Sequence, residues 1–311
     1  MHPAPVSMHI PDGFLSLAMS LVCWLLSAGI LALALRHANQ DFKDRQVPMM
    51  GVMAAFIFAA QMINFPVAGG TSGHLLGGTL AAILLGPWAA MLVMTAVVAV
   101  QGLLFQDGGL LAMGANILNM ALLTVIVSHG INRLAHTRRQ GVKLAAAGIA
   151  AWLAVMTAAL STALQLWLSG TARLSLVVPA MLAIHALIGL GEAIITVATI
   201  LFIKRTRPDL LEASDPTAGG RIWVLAGLLI SLGVLLLAPL ASVAPDGLER
   251  VELRLGFSAS AQPSPLKYFP NFQALFTGAP ALAGILAGLF GMLAVIGLVW
   301  LLIRTLHKPG K

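Results

Sequence analysis

The chain has 311 residues, of which 59% are hydrophobic and 9% charged, and its mean hydropathy is +0.94. Soluble domains carry about 25% charged residues, so a water-soluble chain of this length could not cover its surface with so few. The formal net charge is +7. Its basic residues lie in short segments between apolar runs, which indicates membrane topology rather than nucleic-acid binding. The composition predicts an all-α integral membrane protein embedded in a lipid bilayer.

Apolar runs along the chain predict about nine transmembrane helices, because a bilayer needs about 20 apolar residues per crossing. The run 75–86 is short, and Gly86-Pro87 separates it from the next run as a tight turn or kink. The predicted spans are 14–35, 49–68, 75–86, 88–105, 110–133, 144–169, 178–203, 221–241 and 278–303.

The distribution of Lys and Arg predicts how the chain is oriented. With the N-terminus outside and the spans alternating, 14 of the 18 Lys and Arg residues fall on the cytoplasmic side and 4 on the outer side. Cytoplasmic loops of membrane proteins carry an excess of these residues. We therefore expect a multi-pass protein of the cell (inner) membrane whose N-terminus lies on the outer, periplasmic face.

The spans divide into two units. Residues 8–205 contain the first seven predicted spans. A polar stretch rich in Pro and Gly, 206–220, is typical of a cytoplasmic linker. Residues 221–311 then form a predicted two-span hairpin, whose spans are joined by an outer loop at 242–277.

No motif of a common catalytic site is present. The sequence lacks GxxxxGK[ST], so the chain cannot hydrolyse ATP through a P-loop, and it lacks HExxH and GxSxG. Its one cysteine, Cys23, excludes an internal disulfide and a multi-cysteine metal site. We therefore expect a transport component rather than an enzyme, with no permanently bound cofactor.

Two histidines are predicted to lie at the outer face. His9 follows Met8 directly, and His74 follows a run of Gly, Thr and Ser at the mouth of the third span. The glycines of this run allow the close backbone approach that a binding loop needs. Two imidazoles suit a divalent transition-metal ion. The alternative is a pair of interfacial histidines that never meet.

A chain that begins at Met8 would complete a chelate. The free amine of Met8, the deprotonated amide of His9 and the His9 imidazole close adjacent five- and six-membered rings. An imidazole from His74 then completes four nitrogens in a plane, a set that favours Ni²⁺ or Cu²⁺ over Zn²⁺ or Mg²⁺. Met1-His2 presents the same dipeptide. We expect the start at Met8, because IPDGFLS follows directly and residues 1–7 resemble an upstream extension.

Five further polar residues are candidates for a supporting role. Asn64 and Ser72 are candidates for hydrogen bonds to the metal ligands, and Asp107, in an outer turn, is a candidate for attracting cations. His185 and Glu192 are seven residues apart on one face of a predicted span, where ionisable groups are costly. They predict either a structural contact between helices or a role in transport or partner coupling, and their depth argues against direct metal ligation.

Three segments resemble the substrate-capturing membrane subunits of nickel/cobalt energy-coupling-factor (ECF) transporters, the CbiM/NikM family. These are MHIPDGFLS, FPVAGGTSGHLLGG and GANILNM, and the resemblance covers roughly residues 8–205. The tail that contains the sequence PDGLE, residues 245–249, resembles the small two-span partner subunit of the same systems, here fused to the first unit.

The resemblance implies capture of Ni²⁺ or Co²⁺ as transported substrate, ligated by the amine of Met8, by His9 and by His74. It also implies a transmembrane coupling subunit and cytoplasmic ATPase subunits as partners, which make import ATP-driven. The seven residues before Met8 depart from the family pattern, because an extended chain gives Met8 no free amine. The planar nitrogen set leans towards nickel over cobalt. A gradient-driven secondary transporter or channel is the alternative function.

Overall fold

The computed structural model describes residues 8–41, 46–211, 222–263 and 280–306. The predicted extension 1–7 lies outside the described residues, as do most of the predicted linker 206–220 and the part of the predicted outer loop after 263. The described chain is mostly helical, which confirms the predicted class of helical membrane protein.

The described residues form mostly α-helices, with one short two-stranded antiparallel ribbon. Helices α5 and α6 form one continuous segment, joined by a π-helical stretch at Ile117–Leu123. In chain order the elements are α1 Leu17–Asp41, α2 Gln46–Gln61, β1 Phe65–Val67, β2 Thr71–Gly73, α3 Gly78–Leu85, α4 Pro87–Leu104, α5 Met113–Asn116, α6 Thr124–Ala135, α7 Gln140–Leu168, α8 Leu174–Thr206, α9 Ile222–Leu235, α10 Gly247–Leu255 and α11 Pro280–Leu306.

Within the described residues, 7 helical segments are long and apolar enough to cross a membrane. Two predicted spans differ from these. Helix α2 ends at Gln61 rather than near 68, because a β-hairpin begins at Phe65. The predicted span 75–86 holds only the 8 residues of α3, about 12 Å of helix at 1.5 Å per residue against a hydrocarbon core of about 30 Å. The count of nine spans stays a prediction.

The hairpin between α2 and α3 is a short antiparallel ribbon. Strands β1 and β2 pair with Phe65 opposite Gly73 and Val67 opposite Thr71. The turn contains Gly69 and Gly70 at φ +84° and +69°, a left-handed conformation that glycine adopts without steric cost. The glycine-rich run predicted as a binding loop is therefore the turn and second strand of this hairpin.

The segment between β2 and α3 enters the protein interior without helical hydrogen bonds. The backbone N–H groups of Leu76 and Gly77 instead donate to the two carboxylate oxygens of Glu192, at 2.7 and 2.9 Å. The carbonyl of Leu76 accepts from Nε2 of Gln61 at 2.8 Å, and Gln101 donates to Gln61 at 2.8 Å. Backbone groups inside a membrane protein need such partners, so these three side chains make the interruption possible.

The N-terminal segment is fixed to the loop between α4 and α5. The Asp12 carboxylate accepts from the N–H groups of residues 110, 111 and 112 at 2.8–3.0 Å. The side-chain amide of Asn116 accepts a hydrogen bond from the Ile10 N–H and donates one to the Ile10 carbonyl, both at 3.1 Å. Both side chains are buried. Residues 8–12 therefore have a defined path against the start of α5.

The C-terminal unit packs against the first unit at two levels. Helices α9 and α11 contact α2, and α10 lies against β2 and α8. The backbone N–H of Ser72 donates to the Pro245 carbonyl at 2.8 Å, and the Ser72 hydroxyl donates to the Ala244 carbonyl at 2.7 Å. Phe14 also meets Phe257 edge to face, with ring centroids 5.1 Å apart. The segment before α10 thus forms one wall with the hairpin.

Replacing Glu192 with Gln should destabilise the protein. A glutamine amide turns a donor towards one of the two N–H groups, which leaves a buried donor without a partner at a cost of about 1–3 kcal/mol. Equilibrium unfolding of the purified protein in detergent measures this loss. Thr196→Val is the matched control, since Thr196 is one turn further along α8, is buried, and its hydroxyl has no hydrogen-bond partner among the described residues. Equal stabilities of the two variants would contradict the role of Glu192.

Candidate metal centre

The structure brings Met8, His9 and His74 together. The imidazole rings of His9 and His74 have centroids 5.8 Å apart and an interplanar angle of 81°. A single ion with nitrogen ligands at about 2 Å can bridge rings at this separation. The segment fixed by Asp12 carries His9, and the β-hairpin leads directly into His74. The alternative that the two histidines never meet is thereby excluded.

Asp107 holds the nitrogens of the N-terminal pair. Its carboxylate accepts from the backbone nitrogen of Met8 at 2.8 Å. His9 Nδ1 lies 3.0 Å from the Asp107 carbonyl and 3.4 Å from its carboxylate. His9 is buried. One residue of the turn after α4 therefore orients the two groups that the sequence predicts as a chelate.

His74 has one ring nitrogen available to bind a metal ion. Its Nδ1 lies 3.0 Å from the carbonyl of Leu75, and because a carbonyl only accepts, Nδ1 carries the proton and Nε2 has the lone pair. Burial lowers the pKa of His74 to about 4, and the charge of nearby His9 acts in the same direction. The imidazole is therefore neutral at ordinary pH, the form in which histidine binds metal ions.

Two adjoining cavities border these residues. One of about 80 Å³ is lined by Met8, His9, His74 and His185 among others. The second, of about 60 Å³, is lined by Met8, His74 and His185 and by Asp246 of the C-terminal unit. Residues from both units therefore line the same space.

His185 lies next to the candidate metal centre, although the sequence placed it within a predicted span. It lines both cavities with His74. Its Nδ1 lies 2.7 Å from the Met181 carbonyl, so Nδ1 donates and Nε2 has the lone pair. Glu192 does not line either cavity. Its carboxylate instead contacts the backbone N–H groups of Leu76 and Gly77.

The other predicted supporting residues contact the C-terminal unit. Ser72 is bonded to residues 244 and 245, as described above, and the carbonyl of Asn64 accepts from the backbone N–H of Ser242 at 2.7 Å. Neither residue lines the two cavities. Their contacts join the β-hairpin to the segment before α10, whereas their positions in the sequence suggested that they support the metal ligands.

The sequence interpretation missed Asp246. This residue is 3% exposed and begins α10, where one carboxylate oxygen accepts from the N–H of Glu249 at 2.8 Å. Burial raises the pKa of Asp246 to about 8, and the negative charges of Glu249 and Asp107 add to the rise. Its location in a Pro-Asp-Gly sequence, the same as that of Asp12, was the signal that it occupies a defined turn.

Two polar residues of the interior were also missed. Gln61 and Asp12 hold the two backbone segments that carry His74 and His9, through the contacts described above. A lone glutamine in an apolar run is weak evidence for such a role, because its partner is a backbone carbonyl 15 residues away along the chain.

Side chains alone do not complete a metal site. In the ranges covered by the structure, no group of three or more His, Cys, Asp and Glu residues could hold a metal ion. The two imidazoles therefore need additional donors, and the backbone nitrogens of residues 8 and 9 are the nearest suitable atoms along the chain. The arrangement fits a transition-metal cation with nitrogen ligands better than Mg²⁺ or Ca²⁺, which prefer oxygen.

Comparisons with known proteins relate this chain to membrane proteins of metal uptake. The family model described as "Cobalt uptake substrate-specific transmembrane region" (CbiM) matches residues 9–210. A putative metal transport protein of Haloquadratum walsbyi is 43% identical over 66% of this chain and 93% of its own length. A probable fused nickel transport protein, LarMN, of Lactiplantibacillus plantarum is 34% identical over 96% of this chain and 98% of its own length.

A solved structure also relates this chain to metal transporters. The crystal structure of a transition metal transporter has 34% sequence identity and a TM-score of 0.59, and the match covers 68% of this chain and 100% of that one. With residues 9–210 matched by the family model, the chain belongs to the CbiM family, and it is a multi-pass membrane component of a cobalt/nickel-type metal uptake system.

Proposed function

We propose that this protein captures Ni²⁺ or Co²⁺ at the outer membrane face and passes it inward as the substrate-specific component of an ATP-driven ECF-type importer. The observation that carries the proposal is the meeting of Met8, His9 and His74 at one cavity, with the nitrogens of the first two held by one carboxylate. The metal ligands are the amine of Met8, the amide and imidazole of His9, and Nε2 of His74.

This ligand set explains selectivity for a late transition metal. Four nitrogens in a plane favour Ni²⁺ over Zn²⁺ and Mg²⁺. The relative that matches 96% of this chain is named a probable fused nickel transport protein. Another relative, of Sorangium cellulosum, is named a cobalt transport protein and is 32% identical over 66% of this chain. These observations support nickel as the preferred substrate, with cobalt as the second.

Asp107 has a defined part in this function. It orients the Met8 nitrogen and the His9 ring next to His74, so that little conformational freedom is lost when the cation binds. The Met8 nitrogen and His9 Nδ1 must then exchange contact with Asp107 for contact with the cation. Residues that orient ligands in this way contribute about 10- to 100-fold to metal affinity.

Energy for transport comes from partner subunits. The chain has no P-loop motif, so ATP hydrolysis requires separate cytoplasmic ATPase subunits and a transmembrane coupling subunit. A gradient-driven secondary transporter is the runner-up, and it would need an ionisable residue that can exchange protons within the membrane. Both oxygens of Glu192 are engaged with backbone N–H groups, which favours a structural role for this residue and supports the ATP-driven importer.

Nickel binding should require both His74 and a chain that begins at Met8. We expect His74→Ala to weaken nickel affinity by at least about 100-fold, and a chain that begins at Met1 to bind as weakly, because it lacks the Met8 amine. Titration of each purified protein against a nickel chelator measures the affinities, and N-terminal sequencing identifies the first residue. His129→Ala is the control, since His129 lies in the middle of α6 and lines neither cavity. Parental affinity in His74→Ala would refute the proposed site.

The contribution of His74 to affinity should not change between pH 7.5 and 5.5. A histidine of ordinary pKa near 6.5 loses about tenfold of its neutral form over this range. Burial holds the pKa of His74 at about 4, so its imidazole stays neutral and able to bind throughout. The ratio of dissociation constants for His74→Ala and the parent, measured at several pH values, tests this. A ratio that falls about tenfold as the pH drops would show an ordinary pKa.

A further inference from the structure

Gln101 has a buried amide oxygen that no described group satisfies. Gln61 Nε2 donates to the Leu76 carbonyl at 2.8 Å, and because a carbonyl only accepts, the orientation of the Gln61 amide is fixed. Its Oε1 must then accept from Gln101 Nε2, at 2.8 Å. This arrangement leaves Oε1 of Gln101 buried and without a hydrogen-bond partner among the described residues. A buried acceptor of this kind is costly, and its presence needs an explanation beyond packing.

The backbone carbonyl of Gln101 holds the turn that carries Asp107. It accepts from the N–H of Phe105, as expected at the end of a helix, and also from the N–H of Asp107, both at 3.1 Å. The second of these bonds closes the turn after α4. The Asp107 carboxylate in turn accepts from the Met8 nitrogen at 2.8 Å. The side chain and the backbone of Gln101 are therefore linked to the two different segments that carry the proposed metal ligands.

Four hydrogen bonds in series join these two segments. In order along the series, the participating residues are Leu76, Gln61, Gln101, Asp107 and Met8, and no donor–acceptor distance exceeds 3.1 Å. The series begins two residues after His74 and ends at the nitrogen of Met8. It thus connects the backbone beside one proposed ligand to another proposed ligand, without passing through a cation.

Helix α4 is a suitable fixed point for this series. In α4, 67% of the residues are buried, against 11–39% in the apolar windows of five other candidate spans. Gln101 itself is 3% exposed. It lines neither of the two cavities beside the metal centre. Any effect of Gln101 on a bound cation must therefore act through the residues to which it is hydrogen-bonded.

We infer that Gln101 is a positioning residue, which sets the separation between His74 and the N-terminal chelate. It acts through Gln61 on one side and through Asp107 on the other. Four nitrogens must meet in one plane to favour Ni²⁺, so this separation has little tolerance and affects the selectivity for Ni²⁺ over Co²⁺ as well as the affinity. The unsatisfied Oε1 is the cost of the connection between the two segments. The inference rests on the proposed function and assigns to it a residue outside the cavities.

The test compares variants of the full-length protein, purified in detergent and titrated with Ni²⁺ and with Co²⁺ against a chelator. Gln101→Met keeps an unbranched side chain and removes its donor. It exchanges one unsatisfied buried oxygen, Oε1 of Gln101, for another, Oε1 of Gln61, so the free energy of unfolding should change little. Thr95→Val is the matched control, since Thr95 lies on the same helix and its buried hydroxyl has no partner among the described residues.

We expect Gln101→Met to lower nickel affinity at least about tenfold, the lower limit for residues that orient metal ligands. The affinity for Co²⁺ should fall less, so that the ratio of the two affinities also falls. Thr95→Val should bind both ions like the parent. Equal nickel affinities in Gln101→Met and Thr95→Val would overturn the inference. An equal fall for both ions in Gln101→Met would also overturn it, because a general loss of structure acts on both ions alike.

Gln101→Asn decides the question independently if Gln101→Met does not fold. Asparagine keeps a buried amide but is one methylene shorter, which withdraws the donor from Gln61. We expect the same loss of nickel affinity in this variant. Parental nickel affinity in Gln101→Asn would refute the positioning role.

His74→Ala separates this inference from the proposed function. Loss of nickel affinity in His74→Ala, with parental affinity in Gln101→Met, would leave the proposed function intact and refute the role of Gln101. Parental affinity in His74→Ala would refute the nitrogen site, and the positioning role with it.

Discussion

The architecture depends on how the chain interrupts a helix inside a membrane protein. Between β2 and α3 the backbone is extended, and the N–H groups of Leu76 and Gly77 have no helical acceptor. The carboxylate of Glu192 accepts from both, and Gln61 donates to the carbonyl between them. In a bilayer an unsatisfied backbone group costs several kcal/mol. Both buried oxygens of Glu192 therefore have a partner, and the hairpin that carries His74 can lie beside the N-terminal segment.

The segment next to His9 also depends on backbone N–H groups that lack helical acceptors, and a buried carboxylate again accepts from them. The backbone of residues 110–112 begins α5 without helical acceptors, and the Asp12 carboxylate accepts from all three N–H groups. A carboxylate at a helix start also interacts favourably with the helix dipole. The two buried carboxylates, Asp12 and Glu192, thus fix the two backbone segments that end in His9 and His74. The geometry of the site follows from backbone hydrogen bonding more than from contacts between the imidazoles.

The membrane fold class and the main residues of the candidate metal site could be predicted from the sequence. Runs of apolar residues indicated the membrane class, and the adjacency of Met8 and His9 with the glycine-rich run before His74 indicated a metal site. The sequence could not show that the third predicted span is only partly helical, because 75–86 is apolar throughout and its hydrogen-bond partners lie on α2 and α8. The position of Asp246 could not be predicted either, since nothing in its sequence neighbourhood indicates that it lines the same cavity as His185. These failures share a cause: both depend on contacts between residues far apart in the chain, since Glu192 lies 115 residues after Gly77 and Asp246 lies on another helix from His185.

Residues of both units line the cavity beside His74. Joining the two units in one chain therefore has a physical advantage. The second strand of the hairpin has Ser72 fully buried, with its N–H and its hydroxyl both donating to the backbone before α10. Without the C-terminal unit these donors would lose their protein partners, and the wall that carries Asp246 would be absent. When both units belong to one chain, closing the wall is an intramolecular event whose effective concentration is set by the linker rather than by expression level. The C-terminal unit is therefore part of the structure that shapes the cavity, in addition to any contact it makes with other subunits.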